Sequence, residues 1–487
     1  MSYSVVKNTS LLTSASILQK VISFVYFTII ARFVGEVNTG QYFVAMTFST
    51  IFAVVADFGL GAVLTRETSR TPEDAEKNLN TVFWTKIFFG IFTYFLLVAT
   101  VNLFSYNALT KNLIYLAGIT MFFDNLHAVF YNVFRARKNL FFESVGVVSS
   151  QFITLIVGTT SILLHWPLYW LIIAFIIPSF LNFIFSATAL KMVYHLRYKF
   201  GWDRKVFRQF ILLALPFALA GILSRLYSYS DTLLMTKMLS AKELGWWSVP
   251  YKITFAFQFI PVALSASIYP VFSSLYDENP AKGELVVSNK EKIDLLFAKS
   301  WRYLLTMVFP VAAGLFVLAE PLVVKIYSST YLPSVPVLRI LLISLIFSYL
   351  SFVTGALLNA TNRQKIQTSL VALSLVISIS INLYFLPRIG IMSAAYAALI
   401  GNFIMCVGGF VFSTRCIKIN YWNIFKYINQ TVWPAIAMGL IVYYLSMYIN
   451  FLFTIPIGGL VYIGLLFLTG GLNINFLRES FLKIKGY

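Results

Sequence analysis

The chain has 487 residues, 59% of them hydrophobic and 11% charged, with a formal net charge of +19. A water-soluble globule cannot be wrapped from that composition, so the chain is read as an integral membrane protein. Short segments of alternating polarity that would signal a β-barrel are absent, and the basic excess forms no soluble patch of the kind that binds nucleic acid.

Apolar runs of spanning length follow one another from end to end, so an all-α bundle of about fourteen transmembrane helices is expected. Their cores lie near residues 10–33, 42–65, 79–103, 112–134, 142–164, 168–190, 208–235, 247–272, 300–319, 334–358, 367–386, 391–414, 430–449 and 451–470. The first run is of full length, carries Lys20 and has no small-residue cleavage site, so it is expected to remain as a helix and not to be removed as a signal peptide.

Charges at membrane depth are costly and normally face a bundle interior, so they mark candidate sites. In the first span Lys20 shares a helical face with Thr13, Ser16 and Ser23, and Arg32 stands at its outer end. The second span holds Asp57 in "VVADFGLG", the third Lys86, and the fourth Asp124 and His127 at i and i+3. The seventh is the richest: Ser224, Ser228 and Asp231 lie on one stripe with Arg225 beside them, Tyr227 and Tyr229 between, and Lys237 at the outer end. Lys252 follows in the eighth.

Several basic groups in a membrane cavity suit an anionic substrate, and a diphosphate would engage more than one of them. The tyrosines could stack on sugar rings. Lys20, Arg32, Arg225, Lys237, Lys252, Tyr227 and Ser228 are therefore the candidate substrate-binding residues, and Asp57, Asp124, Asp231 and Lys86 the candidate ion-coupling residues. Structural roles compete with these. Arg32, Lys237 and Arg339 lie close enough to an interface to snorkel. Asp124 can simply bond to His127, and Lys86 can pair with Asp57 to tie the second and third spans.

Loop charges orient the chain. With the amino terminus inside, inner segments collect Arg66, Arg70, Lys77, Arg135, Arg137 and Lys138, then Lys191, Arg197, Lys199, Arg204, Lys205 and Arg208, and later Lys282, Lys290, Lys292, Arg363, Lys365, Arg415, Lys418, Lys426, Arg478, Lys483 and Lys485. Outer connections hold few, chiefly Arg32, Lys111, Lys242, Lys325 and Arg388, so both termini are expected in the cytoplasm. The longest hydrophilic stretches, 191–210 and 276–300, read as a hinge between halves and as a segment with a short surface helix. Cys406 and Cys416 read as lying in one span, ten residues apart, where they cannot pair; no metal site, disulfide framework or cofactor is expected.

An internal repeat organises the whole. "ARFVGEVNTGQYFVAMTF" (31–48) aligns with "TKMLSAKELGWWSVPYKI" (236–253), matching Gly40 with Gly245, Tyr42 with Trp247, Val44 with Val249 and Arg32 with Lys237. "FRARKN" (134–139) answers "LNATNR" (358–363), each after the fourth helix of its half. Six crossings separate the corners, so the repeat is parallel, a design that in transporters puts the substrate between the halves and works by rocking. The expected division is a six-helix bundle over 1–200, a second over 201–420, and two added helices with a tail over 421–487.

The segments 31–67 and 230–253 resemble the polysaccharide transporter family, the Wzx-type O-antigen flippases, within the multidrug/oligosaccharidyl-lipid/polysaccharide exporter superfamily; the resemblance covers about the first 415 residues. It implies two pseudo-symmetric six-helix bundles in a V, often with two further helices. It also implies an undecaprenyl-diphosphate-linked oligosaccharide as cargo, membrane lipids around it, a polysaccharide polymerase and chain-length regulator as partners, and the bacterial cytoplasmic membrane as location. The lipid II flippase is a cousin with several arginines along its first helix. Lys20 and Arg32 stand where two of these would, and Tyr26 replaces a third, which argues for a different glycan. The rival readings are a cation-coupled antiporter of the same superfamily, which would favour acidic cavity residues, and a membrane glycan polymerase, which would need a large outer loop.

Overall fold

The computed structural model describes residues 2–196, 201–276, 287–417 and 421–472. Arg197, Lys199, Lys282, Lys418, Arg478, Lys483 and Lys485, counted above among the inner charges, lie outside these residues. Every regular element among the described residues is helical. In chain order they are α1 (Ser2–Val34), α2 (Glu36–Asp57), α3 (Leu60–Arg70), α4 (Ala75–Asn102), α5 (Ala108–Ala136), α6 (Phe141–Leu163), α7 (Trp170–Tyr194), α8 (Arg204–Met238), α9 (Ala241–Phe257), α10 (Phe259–Leu275), α11 (Val287–Val317), α12 (Ala319–Leu322), α13 (Ser334–Ala360), α14 (Gln364–Ile389), α15 (Met392–Ser413), α16 (Tyr421–Ser446) and α17 (Phe451–Leu468).

Among the described residues fourteen segments are long and apolar enough to cross a membrane, α9 and α10 together forming one of them, as the run lengths require. Of the stretch 276–300, residues 277–286 lie outside the described residues and 287–300 form the opening turns of α11. One detail differs from the expectation. Cys416 does not share a span with Cys406, because α15 stops at Ser413. The Cys416 backbone N–H instead closes a turn onto the Ser413 carbonyl, and its thiol sits 3.7 Å from the Thr361 hydroxyl. Both cysteines are buried and unbridged.

The helices gather into two compact units, Met1–Ser248 and Val249–Tyr487. In the first, α5 is central, packing on α2, α3, α4 and α7, while α6 joins α1 to α7 and α8 lies on α2 and α3. Its core includes Leu60, Val63, Leu79, Val82, Phe130 and Phe134. In the second, α13 is central, packing on α10, α11 and α15, with α14 on α15 and the pair α16–α17 on α11. Phe297, Leu304, Tyr349, Val353 and Leu357 fill that core. Lipid tails are as apolar as these side chains, so what holds the units together is close packing and interhelical hydrogen bonding more than escape from water.

The same neighbours recur in both units. The pairs α4–α5, α5–α7 and α6–α7 correspond to α11–α13, α13–α15 and α14–α15. The second aligned motif repeats down to its backbone. Lys138 and Asn362, which align, both have φ +57°. The next residue in each closes the same bond five residues back, Asn139 N–H to the Phe134 carbonyl at 3.0 Å and Arg363 N–H to the Leu358 carbonyl at 2.8 Å. That is a helix-ending loop with one left-handed residue.

Candidate functional site

The first unit builds its polar interior on α5. Residues three, four and seven apart on a helix share a side, and α5 uses two such sides. One side carries Asn125 and Asn132 towards α2 and α3: the Asn125 amide donates to the Ala53 carbonyl at 3.3 Å, and the Thr65 hydroxyl donates to the Asn132 carbonyl at 3.3 Å. The other carries Asp124, His127, Tyr131 and Arg135 towards α6 and α7. Asp124 accepts from the Ser179 hydroxyl at 2.6 Å, Tyr131 bonds to Asn182, and Arg135 grips Glu143 through both nitrogens, Nε to Oε2 at 2.8 Å.

Asp57 ends α2 at a true break. Phe58 and Gly59 are both left-handed, at φ 46° and 71°, before α3 resumes at Leu60. Gly59 is needed twice over, since a Cβ there would also fall within 2.9 Å of the Ala214 carbonyl, Phe217 Cβ and Ala218 nitrogen of α8. Lys86 on α4 is 0% exposed, and its ammonium donates to Asp57 Oδ1 at 2.5 Å while Asp57 keeps 37% of its side chain exposed. Of the two roles weighed for this pair, the geometry displays the tie between the second and third spans.

His127 is set differently. Its ring is 15% exposed, and Nδ1 lies 3.8 Å from Asp124 Oδ1, too far for a hydrogen bond. That nitrogen is buried and makes no hydrogen bond among the described residues. Asp124 is 51% exposed.

The first aligned motif is also part of this unit. Gly40 and Gly245 are each the fifth residue of their helix, α2 and α9. A Cβ on Gly40 would strike the Ala241 carbonyl oxygen, and a Cβ on Gly245 would strike the Glu36 carbonyl oxygen. Positions 36 and 241 each precede their own glycine by four, so the contact is reciprocal: the repeat touches itself at its own corner. Glu36 and Lys242 flank it at 3.6 Å, and Thr39, Gln41, Tyr42, Leu244 and Trp247 are buried around it.

The remaining candidates are spread over α1, α8 and α9. Lys20, Arg32, Arg225 and Lys237 are exposed, and they have no hydrogen-bonding or ionic partner among the described residues. Ser228 is exposed and returns its hydroxyl to the Ser224 carbonyl at 2.9 Å, while Tyr227, Asp231 and Lys252 are half-buried. Arg339 donates to the Phe316 carbonyl at 3.3 Å and lies over that ring, in keeping with an interfacial side chain. Ser179, Asn125, Asn132, Asn182 and the Arg135–Glu143 pair escaped sequence reasoning. The seven-residue spacing of Asn125 and Asn132 was the one available signal, since Arg135 read as a loop charge. Among the described residues no group of three or more histidine, cysteine or acidic side chains could hold a metal.

At the inner end, Asp203 caps α8 by accepting from the Lys205 and Val206 backbone N–H groups at 2.8 and 3.0 Å, and Lys77 of α4 stands 3.0 Å away. The Val206 N–H and the Lys77 ammonium hold its carboxyl below the ordinary value.

Comparison with known proteins gives concordant results. The profile of a family described as "Polysaccharide biosynthesis protein" matches residues 5–276. An uncharacterized membrane protein in the cps region of Klebsiella pneumoniae is 20% identical over 95% of this chain and 95% of that protein. The teichuronic acid biosynthesis protein TuaB of Bacillus subtilis (strain 168) is 21% identical over 82% of this chain and 80% of its own. Among solved structures, the lipid II flippase MurJ in an inward closed conformation aligns with a TM-score of 0.74 at 19% identity, covering 97% of this chain and 99% of that one. An inward-facing multidrug resistance MATE transporter of the MOP superfamily aligns at 0.65 with 14% identity, covering 82% and 94%. At these identities the likeness to solved structures is one of fold.

Proposed function

The chain belongs to the polysaccharide biosynthesis protein family, and from that premise we propose that it is a flippase, moving undecaprenyl-diphosphate-linked oligosaccharide repeat units of an O-antigen or related surface polysaccharide across the bacterial cytoplasmic membrane. The fold it shares with MurJ and MATE proteins, and relatives named as a cps-region membrane protein and a teichuronic acid biosynthesis protein, support this class of cargo. The organisation as six, six and two helices, with divisions near residues 200 and 420 and both termini inside, belongs to the same proposal. So do a polymerase and a chain-length regulator as partners.

The observation that carries the reading is the set of basic side chains without counter-charges. Lys20 lies well inside α1 and Arg225 well inside α8, and both are exposed with no partner among the described residues. An unpaired cation at membrane depth costs a few kcal/mol, which makes an anionic ligand the natural compensation. A diphosphate offers several acceptor oxygens, and each charge-assisted bond contributes about 1.5–3 kcal/mol. Lys20, Arg225, Arg32, Lys237 and Lys252 would bind the diphosphate in alternation between the two membrane faces, with Tyr227 and Ser228 against sugar. Flipping a lipid has no net chemical drive of its own, so direction comes from consumption of the product outside or from a coupled ion.

The test uses cells lacking the gene, with synthesis of the lipid-linked unit under inducible control and an impermeant glycan probe applied to spheroplasts. Units should stay inaccessible without the gene and become accessible with it, and Lys20→Ala or Arg225→Ala should slow their appearance roughly tenfold or more. Units reaching the outer face without the gene would overturn the reading and favour a small-molecule antiporter.

A further inference from the structure

Three carboxylates face three bases inside the first unit: Asp57 with Lys86, Glu143 with Arg135, and Asp124 with His127. In the first two the base donates directly to its carboxylate. Histidine is the one side chain of the three whose ordinary titration falls in the physiological range. The third pair is therefore charge-balanced only while it holds a proton.

The geometry suits a site that is filled and emptied. Asp124 Oδ1 is held by the Ser179 hydroxyl at 2.6 Å, and His127 Nδ1 lies 3.8 Å from the same oxygen, beyond hydrogen-bonding distance. The Phe123 carbonyl, one turn back on α5, also acts on the ring. The carboxylate is half-exposed while the ring is largely buried, so Asp124 is the side from which a proton arrives. The ring is held in place edge-on to Tyr131, at 5.3 Å between centroids, and Tyr131 is fixed in turn by Asn182. The charged groups acting on His127 are Asp124 of its own helix, Lys86 of α4 and Glu143 of α6. Lys86 is engaged by Asp57 of α2 and Glu143 by Arg135, while α7 presents the uncharged Ser179 and Asn182.

We propose that Asp124 and His127 form the proton-carrying site of the transport cycle, with Ser179 as the competing donor that reports its state to α7. A proton from water enters through the Asp124 carboxylate and forms an N–H bond at Nδ1. Asp124 then accepts from the imidazolium as well as from Ser179, and the α5–α7 contact at this point changes with each loading. On release the N–H bond breaks and the proton returns to water through the same carboxylate. The inference rests on the flippase reading for the meaning of the cycle, but not for the existence of the site.

The chain has three histidines, His127, His165 and His195. Ring-nitrogen NMR of the full chain in lipid nanodiscs, with His127→Gln to assign the signal, reads the site without any cargo. Scanned from about pH 4 to about pH 8, the His127 signal should change with pH. Asp124→Asn should move its midpoint by about one pH unit or more, and Ser179→Ala should move it as well, which keeps the test open if the aspartate variant does not fold. A His127 signal constant over that range, or unmoved by both variants, overturns the proposal. In liposomes, an imposed pH gradient should drive flipping by the wild type, while His127→Gln should lose the response to the gradient. Flipping that ignores the gradient in the wild type contradicts the proton site and leaves the flippase reading standing. Coupled titration without any flipping retains the site and removes the flippase.

Discussion

Asp57 and Lys86 show how one buried pair divides its risk. The ammonium is wholly buried, whereas the carboxylate keeps 37% of its side chain exposed. Removing one partner of a buried pair costs about 3–5 kcal/mol because an uncompensated charge is left behind. Asp57→Asn strands the charge that cannot reach solvent, and Lys86→Met strands the one that can. The aspartate variant is therefore expected to lose more thermal stability in detergent than the lysine variant, with the double variant recovering most of the loss; the reverse order would refute this account of the pair.

Asp203 adds a pH dependence of known sign. Its carboxyl is held below 3.8, so the stability it contributes is complete above that pH and is lost as pH falls through the lower folded value. Asn can still cap α8, so Asp203→Asn isolates the charge: it should lower the melting temperature at pH 7 and lower it by less at pH 3. Equal losses at both would assign the effect to the cap alone. At this scale the sequence was partly legible. Charged residues inside apolar runs announced Lys86, Asp57, Asp124 and His127, but which pairs close depends on helix rotation, and no run of residues encodes that. Ser179 and Asn182 carry no charge and gave no signal at all.

Elements are where glycine decides the packing. Gly40 and Gly245 bring the first turns of α2 and α9 within backbone contact, each leaving room for the other's carbonyl. An alanine at either has to push the helices apart, at a cost of about 1–3 kcal/mol for overpacking. Gly464 of α17 has open space where a Cβ would go, so its alanine variant gains helix propensity without a collision. Thermal unfolding should rank Gly40→Ala and Gly245→Ala as similarly destabilised and Gly464→Ala as neutral or stabilised. A harmless Gly40→Ala would deny the close approach.

Length and apolarity made the fourteen spans legible, and alignment of residues 31–48 with 236–253 located the corner. Its reciprocal contact was not legible, because similarity between two motifs does not say that they meet. The break at Phe58–Gly59 likewise hid inside an apolar run, where a single glycine is as compatible with a continuous helix as with a hinge. Cys416 was misplaced because it lies past Thr414 and Arg415, beyond the apolar run at 391–414 and beyond the end of α15 at Ser413.

For the whole molecule, two observations converge on transport. The neighbour pattern of α4 to α7 recurs in α11 and α13 to α15, with the same left-handed corner at Lys138 and Asn362, as expected of a duplicated transporter. Basic residues at membrane depth stand without counter-charges on α1 and α8. The most direct measurement is flipping by the purified protein alone. Liposomes carrying an undecaprenyl-diphosphate-linked oligosaccharide in both leaflets are treated with an impermeant glycosidase. Without protein only the outer-leaflet share should be cut; with wild-type protein cleavage should proceed towards completion, and with Lys20→Ala and Arg225→Ala together it should stop near the outer share. Cleavage that halts at the outer share with the wild type, in vesicles shown to contain folded protein, would contradict the claim that this chain moves lipid-linked glycans.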